Sequence, residues 1–174
     1  MVFVVAHSLL LNKESLMKTI PDREFRPVLI KHFRRVFNLR TSKPRLYKLS
    51  IKDNKQAIAN LVQEKGNVCN AALFEVSDDE FRRLKLRNRA FYTKKVPVYN
   101  PQSGIKTGEG YIFIGRKTFQ GEHMRADDIL PIPHYLEMCR QGCYALGKQF
   151  GRQWDETTFL ATGQQLTEYL NHGG

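Results

Sequence analysis

The side chains that could carry out chemistry in this chain are scattered and form none of the common metal-binding or catalytic motifs. The 5 histidines stand singly, and neither Cys-x-x-Cys nor His-Glu-x-x-His occurs, so the sequence predicts no metal site. The Walker and dinucleotide glycine patterns are missing as well. The turn at Ser8 lacks the glycines of a nucleophile elbow, which argues against a serine hydrolase. We therefore expect no cofactor.

The turn at Ser8 has a defined place in the predicted fold. It follows an apolar, β-branched run, Val2–Ala6, which is typical of a buried strand. Asn12 can cap a short helix that carries Leu16, and Pro21 closes this helix. The chain thus opens with a strand, a turn and a helix.

The middle of the chain predicts several further strands. The mixed run 28–37, the alternating run 47–51 and the apolar run 68–76 all favour strands. Residues 57–61 are interpreted as a short helix or a turn.

A capping box marks the start of a helix in the second half of the chain. Ser77 and Glu80 have its spacing, so a helix should begin directly after Ser77. Residues 91–99 and 111–114 then predict two strands, and the turn at 101–104 should join them as a hairpin.

The C-terminal part is predicted to be helical. Apolar residues recur every three or four positions through residues 133–150, and a last short helix is expected at 164–170. We expect one domain, 1–174, with 133–174 as its helical part. The fold class should be α+β, with about six strands in a mixed, mostly antiparallel sheet that curls toward a small barrel, and with helices on one side.

The length and the composition limit the classes of protein to which this chain can belong. The 174 residues suit one hydrophobic core. No apolar run reaches the ~18 residues that cross a bilayer, so no membrane association is expected. The odd set of cysteines, Cys69, Cys139 and Cys143, predicts reduced, buried thiols. The apolar opening run lacks the preceding basic residue and the cleavage site of a signal peptide, so we interpret it as a buried strand and expect a cytoplasmic protein. A monomer and a homodimer both stay open.

The chain is strongly basic, with 28 Lys+Arg against 17 Asp+Glu and a net charge of +11. The excess is concentrated in residues 23–48 and 82–95. Such clusters are typical of solvated faces, and they also leave open a module that binds nucleic acid or another polyanion.

The order of the segments resembles the γ-glutamylcyclotransferase-like superfamily, which includes the glutathione-degrading ChaC enzymes. The resemblance covers roughly residues 2–115, and its most specific part is residues 73–84. It rests on the segments Phe-Val-Val-Ala-His-Ser-Leu-Leu at 3–10, Phe-Arg-Arg-Val-Phe at 33–37, Ala-Leu-Phe-Glu-Val-Ser-Asp-Asp-Glu-Phe at 72–81, Leu-Lys-Leu-Arg-Asn at 84–88 and Tyr-Thr-Lys-Lys-Val at 92–96.

The resemblance implies an intramolecular aminolysis. In that family the α-amine of a γ-glutamyl group attacks its own γ-carbonyl, which closes 5-oxoproline and releases an amine. One glutamate accepts the proton of the attacking amine and returns it to the departing nitrogen. The turn after the first strand would hold the α-carboxylate or the oxyanion with backbone N–H groups.

The chain departs from the family pattern at both of these places. The family's Tyr-Gly-Ser-Leu turn corresponds to Ala6, His7, Ser8 and Leu9, and Asn88 stands where the catalytic glutamate belongs, after a matching Arg87. Asparagine cannot carry a proton at neutral pH, and losing such a group typically costs ~10²–10⁴-fold in rate.

The resemblance therefore implies a γ-glutamylcyclotransferase-like protein that keeps a small-molecule pocket but has lost or changed its chemistry, a pseudoenzyme. Its ligand would be a γ-glutamyl compound or a related amine or carboxylate. An active cyclotransferase that uses a relocated carboxylate is the alternative, and the polyanion-binding module is a third. The candidate site residues are Ala6, His7, Ser8, Leu9 and Tyr92 for binding, Asn88 at the catalytic position, and Glu75, Glu80 or Glu109 as substitute carboxylates.

Overall fold

The computed structural model describes residues 1–41, 56–116 and 129–173. Within these ranges, 7 strands form one mixed sheet and the helices pack against it, so the α+β class is confirmed. The strands are β1 (Val2–Ala6), β2 (Arg26–Arg40), β3 (Gln56–Val76), β4 (Phe91–Tyr99), β5 (Lys106–Gly115), β6 (Leu130–Pro131) and β7 (Thr158–Leu160). The helices are α1 (Lys13–Met17), α2 (Asp78–Arg87), α3 (Pro133–Ala145), α4 (Lys148–Glu156) and α5 (Leu166–Asn171).

The sheet curls into a small barrel. Its strand order is β6-β3-β1-β5-β4-β2-β7, and β2 also pairs with β3, which closes a ring of five strands. The pairs β1–β3, β2–β3, β2–β4 and β4–β5 are antiparallel, whereas β1–β5, β2–β7 and β3–β6 are parallel.

Two apolar cores stabilise this arrangement. One fills the ring with side chains from all five strands, including Val5, Ile30, Leu61, Val96 and Ile112. The other lies between the outside of the sheet and the helices, and it includes Leu16, Phe37, Leu136, Trp154 and Leu166. The helices therefore cover one side of the curled sheet, as the hydrophobic pattern predicts.

Several local predictions are confirmed. The strand Val2–Ala6 has the predicted bounds. The Asn12 side chain accepts a hydrogen bond from the Ser15 amide at 2.9 Å and so caps α1. Both bonds of the Ser77–Glu80 capping box are present, and Cys69, Cys139 and Cys143 are free and buried.

Three predictions need correction, and a fourth lies outside the described residues. Residues 57–61 are strand rather than helix or turn, because they pair with the C-terminal half of β2. The helix predicted over 133–150 is two helices, since Gly147 has a φ of 126° and separates α3 from α4. The short strands β6 and β7 bring the sheet to 7 strands instead of about six. The predicted strand at 47–51 lies outside the described residues.

Within the described ranges, no helix combines the length and the apolarity that a membrane crossing requires.

Candidate functional site

A cavity of about 530 Å³ opens where the turn after β1 meets the end of α2 and the start of α3. Its walls come from residues that are distant in sequence. The largest contributions are the turn with α1, the segment from Arg87 to Phe91, and the first two turns of α3. Phe113 of β5 and Ile58 of β3 add apolar surface. The lining mixes apolar side chains with many polar ones, and the size of the cavity is typical of small-molecule sites.

The turn after β1 forms the first wall, and α3 holds it in place. Residues Leu9–Leu11 form one turn of 3₁₀ helix, and the side chain of Ser8 makes no capping bond to it. The Asn12 side chain donates a hydrogen bond to the carbonyl of Met138 in α3 at 3.0 Å. A Cβ at Gly142 would lie 2.5 Å from the backbone of Leu11, so only glycine permits this contact between α3 and the turn.

His7 lines the cavity but lies almost completely inside the protein. Its side chain is 4% exposed, and its Nε2 donates a hydrogen bond to the Phe113 carbonyl at 3.4 Å. Burial, with a smaller contribution from the positive charge of Arg35, lowers the pKa of His7 to about 3. The imidazole is therefore neutral at neutral pH, and it becomes protonated only at a much lower pH.

This buried imidazole predicts an acid sensitivity of the fold. In the unfolded chain His7 takes up a proton below its ordinary pKa of 6.5, whereas the folded protein excludes that proton down to about pH 3. The contribution of His7 to stability is thus complete above pH 6.5 and declines by about 1.4 kcal/mol per pH unit below it. Urea unfolding between pH 7 and pH 5 should show a shallower loss of stability in His7→Gln than in the wild type. The exposed His172 supplies the control, because His172→Gln should keep the wild-type slope; parallel curves for His7→Gln and the wild type would contradict the prediction.

Asn88 contributes to the cavity wall at the end of α2. Its backbone amide and its side-chain Nδ2 both donate to the Leu84 carbonyl, at 3.0 and 2.9 Å. The side chain therefore gives the Leu84 carbonyl a second donor and reinforces the last turn of the helix. A carboxylate at this position could not make that bond, since it has no proton to donate at neutral pH.

Arg87, the residue before Asn88, connects α2 to α1. Its guanidinium donates to the carbonyl of Ser15 at 2.5 Å, to the hydroxyl of Ser15 at 2.7 Å and to the hydroxyl of Thr19 at 3.0 Å. These bonds bring the residues after α2 next to the C-terminal end of α1. The structure gives Arg87 a positioning role in the cavity wall.

Comparison of the whole structure with known proteins identifies the fold. No family model matches the sequence, and no curated protein matches it either. Solved structures do match. A structure described as gamma-glutamyl cyclotransferase has a TM-score of 0.64 and 12% identity, and the match covers 99% of each chain. The chain has the γ-glutamylcyclotransferase-like fold.

Two further structures support the same fold. An uncharacterized protein from Homo sapiens has a TM-score of 0.64 and 14% identity, with coverage of 88% of this chain and 85% of the other. A yeast gamma-glutamyl cyclotransferase described as specific to glutathione has a TM-score of 0.58 and 13% identity, with coverage of 81% and 86%. The identities are low, so the likeness concerns the fold.

Within this γ-glutamylcyclotransferase-like fold, only some of the candidate site residues share the cavity. His7, Ser8 and Leu9 line it together with Asn88, although the first three follow β1 and Asn88 follows α2. Ala6 is fully buried at the end of β1 and is not part of the lining. Tyr92 lies on β4 with 42% of its surface exposed, and it is likewise outside the lining.

The three glutamates considered as substitute carboxylates lie outside the cavity. Glu75 is exposed on β3. Glu80 caps α2 and pairs with Arg23. Glu109 pairs on the surface with Lys106 at 3.0 Å and with Lys95 at 3.3 Å.

Glu14 is the carboxylate that the sequence reasoning missed. Among the described residues that line the cavity it is the one acidic side chain, and it lies exposed on α1. The signal that could have found it is its position in the helix that directly follows the Ser8 turn.

Several arginines of the two basic clusters, residues 23–48 and 82–95, are buried or paired with acidic side chains. Arg35 is fully buried and donates to Thr158 at 3.0 Å. Arg34 pairs with Glu64 at 3.0 Å, and Arg82 pairs with Asp79 at 3.2 Å. Residues 42–48 of the first cluster lie outside the described ranges. Polyanion binding stays a prediction.

Proposed function

We propose that this protein binds a small γ-glutamyl compound, or a related amine or carboxylate, in the cavity at the Ser8 turn without cyclising it at an enzyme-like rate. The observation that carries the proposal is the placement of Asn88. It lines the same cavity as Ser8, and its amide already caps α2. The Ser8 turn, which would bind the ligand, thus faces a cavity that has the amide of Asn88 where the family's reaction needs a carboxylic acid.

The missing step is a proton transfer. Cyclisation forms a bond from the α-amine nitrogen to the γ-carbonyl carbon and breaks the bond from that carbon to the departing nitrogen. The attacking nitrogen loses a proton, and the departing nitrogen gains one. A carboxylate can accept the first proton and return it, but an amide cannot. His7 cannot replace the carboxylate easily, because its pKa of about 3 makes it a weak base.

An active cyclotransferase is the second candidate, and Glu14 is the observation that favours it. This carboxylate lines the cavity. It is exposed, however, and among the described residues no hydrogen bond or ion pair holds its carboxylate at a fixed distance from the Ser8 turn.

The experiment combines a binding measurement with a turnover measurement. Purified protein is titrated with glutathione and γ-glutamyl dipeptides by calorimetry, and 5-oxoproline is measured after prolonged incubation with the same compounds. We expect saturable binding with little or no 5-oxoproline. Release at enzyme-like rates would overturn the proposal, and its loss in Glu14→Gln would then assign the reaction to Glu14. The absence of any binding would show that the cavity serves another ligand.

The three free, buried cysteines support a reducing compartment, and we include a cytoplasmic location in the proposal.

A further inference from the structure

Large apolar side chains from three different elements converge on the cavity and keep part of their surface uncovered. Leu9 of the turn after β1, Phe91 of β4 and Met138 of α3 all line it, and each of them is only half-buried. Leu9 and Phe91 pack against the core between the sheet and the helices, to which the lining residues Ile58 and Phe113 also belong. A ligand that covers this apolar surface removes it from water, which favours binding. We call these five residues the apolar wall.

Strand pairing and hydrogen bonds bring the parts of the apolar wall together. Phe91 and Phe113 are diagonal neighbours on one face of the β4–β5 pair, within reach of each other's rings. His7 donates to the Phe113 carbonyl, so the turn after β1 lies beside this strand. At the other end of the turn, the Asn12 side chain donates to the Met138 carbonyl. The apolar wall therefore runs from β4 and β5 across the turn to α3.

The polar lining residues are concentrated on the α1 segment and at the end of α2. They are Glu14, Ser15, Lys18, Thr19, Arg87, Asn88 and Arg89. The hydrogen bonds from Arg87 to Ser15 and Thr19 join the two segments. On α3, His134 and Gln141 line the cavity before and after Met138. The cavity thus suits an amphipathic ligand, with a polar group toward α1 and α2 and an apolar group against the apolar wall.

We propose that the preferred ligands are γ-glutamyl derivatives of apolar amines, such as γ-glutamylleucine, whose apolar group packs against the apolar wall. This inference rests on the proposed function. The γ-glutamyl group carries an ammonium, a carboxylate and an amide, which suit the Ser8 turn and the polar segments. The cavity of about 530 Å³ has a size typical of sites for larger ligands, so the γ-glutamyl group alone leaves much of it unfilled. The rest of the ligand is the part that can cover the apolar wall.

The test compares two ligands that have nearly the same shape and the same net charge. Titration calorimetry measures the binding of γ-glutamylleucine and of γ-glutamylasparagine, in which an amide replaces the branched apolar end of the side chain. We expect γ-glutamylleucine to bind about tenfold tighter, as the burial of one leucine side chain allows. Its binding should also show the more negative change in heat capacity, which marks the burial of apolar surface. High salt should leave the preference in place, because salt screens charges.

A matched pair of variants assigns the preference to the apolar wall. Met138→Gln keeps the length of an unbranched side chain and a good helix former, but it places a polar group in the wall. It should reduce the preference for γ-glutamylleucine about threefold or more. Met17→Gln makes the same change on α1 at a side chain that is 53% exposed and outside the cavity lining, so it should leave the preference unchanged.

The outcomes separate this inference from the proposed function. Equal affinities of the wild type for the two dipeptides, or tighter binding of γ-glutamylasparagine, overturn the inference and leave the proposed function intact. Binding of neither dipeptide overturns both. A preference that Met138→Gln leaves unchanged would place the apolar group of the ligand away from the apolar wall and would also overturn the inference.

Discussion

Asn88→Glu should create cyclotransferase activity in this chain. The substitution places a carboxylate at the cavity wall that Ser8 also lines, where a γ-glutamyl amine would lie. Since a positioned proton shuttle typically contributes ~10²–10⁴-fold in rate, we expect 5-oxoproline release from a γ-glutamyl dipeptide to rise at least about 100-fold over the wild type. The release is measured by chromatography under single-turnover and steady-state conditions.

The control for this variant is Asn88→Gln. Glutamine has the length and shape of glutamate but does not titrate, so Asn88→Gln should stay as inactive as the wild type. Asn88→Glu loses the amide that donates to the Leu84 carbonyl and should lose about 1 kcal/mol of stability, whereas glutamine keeps an amide donor and should lose less. Equal activity of the two variants would contradict the proton-shuttle explanation. A folded Asn88→Glu variant that binds the dipeptide and stays inactive would show that more than the shuttle has been lost.

Trp154→Ala should cause the largest loss of stability. Trp154 is completely buried, and it packs edge-on against Phe37 with 6.4 Å between ring centroids. Its Nε1 donates to the His7 carbonyl at 2.8 Å, so the side chain fastens α4 to the turn that forms the site. Truncating a buried tryptophan typically costs about 3–5 kcal/mol. In a chain of this size that lowers the melting temperature by about 6–20 °C.

Trp154→Phe separates packing from the hydrogen bond. Phenylalanine keeps most of the apolar volume but leaves the His7 carbonyl without this donor, so we expect a smaller loss of about 1–3 kcal/mol. The chain has a single tryptophan, and unfolding is therefore followed by circular dichroism rather than by tryptophan fluorescence. Equal losses in both variants would show that the hydrogen bond outweighs the packing, contrary to the prediction.

The features that could be predicted from the sequence are those that depend on neighbouring residues. The Ser77–Glu80 capping box and the Asn12 cap involve contacts across three residues, and their residue types fix them. The strand β1 is bounded by polar turn residues, which the sequence displays directly. The resemblance to the superfamily adds the order of the elements, and the structural comparisons support the fold that it implies.

The errors arise where distant residues override local preference. Residues 57–61 have no strong strand pattern, but pairing with the C-terminal half of β2 provides backbone hydrogen bonds that make them strand. The apolar stripe over 133–150 continues through Gly147, so its period does not show that this glycine takes a positive φ and ends the helix. In both cases the tertiary contacts decide between conformations that the local sequence allows.

For the candidate site too, some features follow from the sequence and others only from the tertiary structure. The sequence determined that the turn after β1 carries Ser8 and that the chain is basic, and the resemblance predicts that Asn88 takes the place of the family's glutamate. Only the tertiary structure decided that Ser8, Asn88, Arg87 and Arg89 share one cavity, that Glu75, Glu80 and Glu109 lie outside it, and that Glu14 lies within it. The physical reason is that a cavity wall is built from side chains far apart in the chain, and their meeting depends on how the two apolar cores pack the elements together.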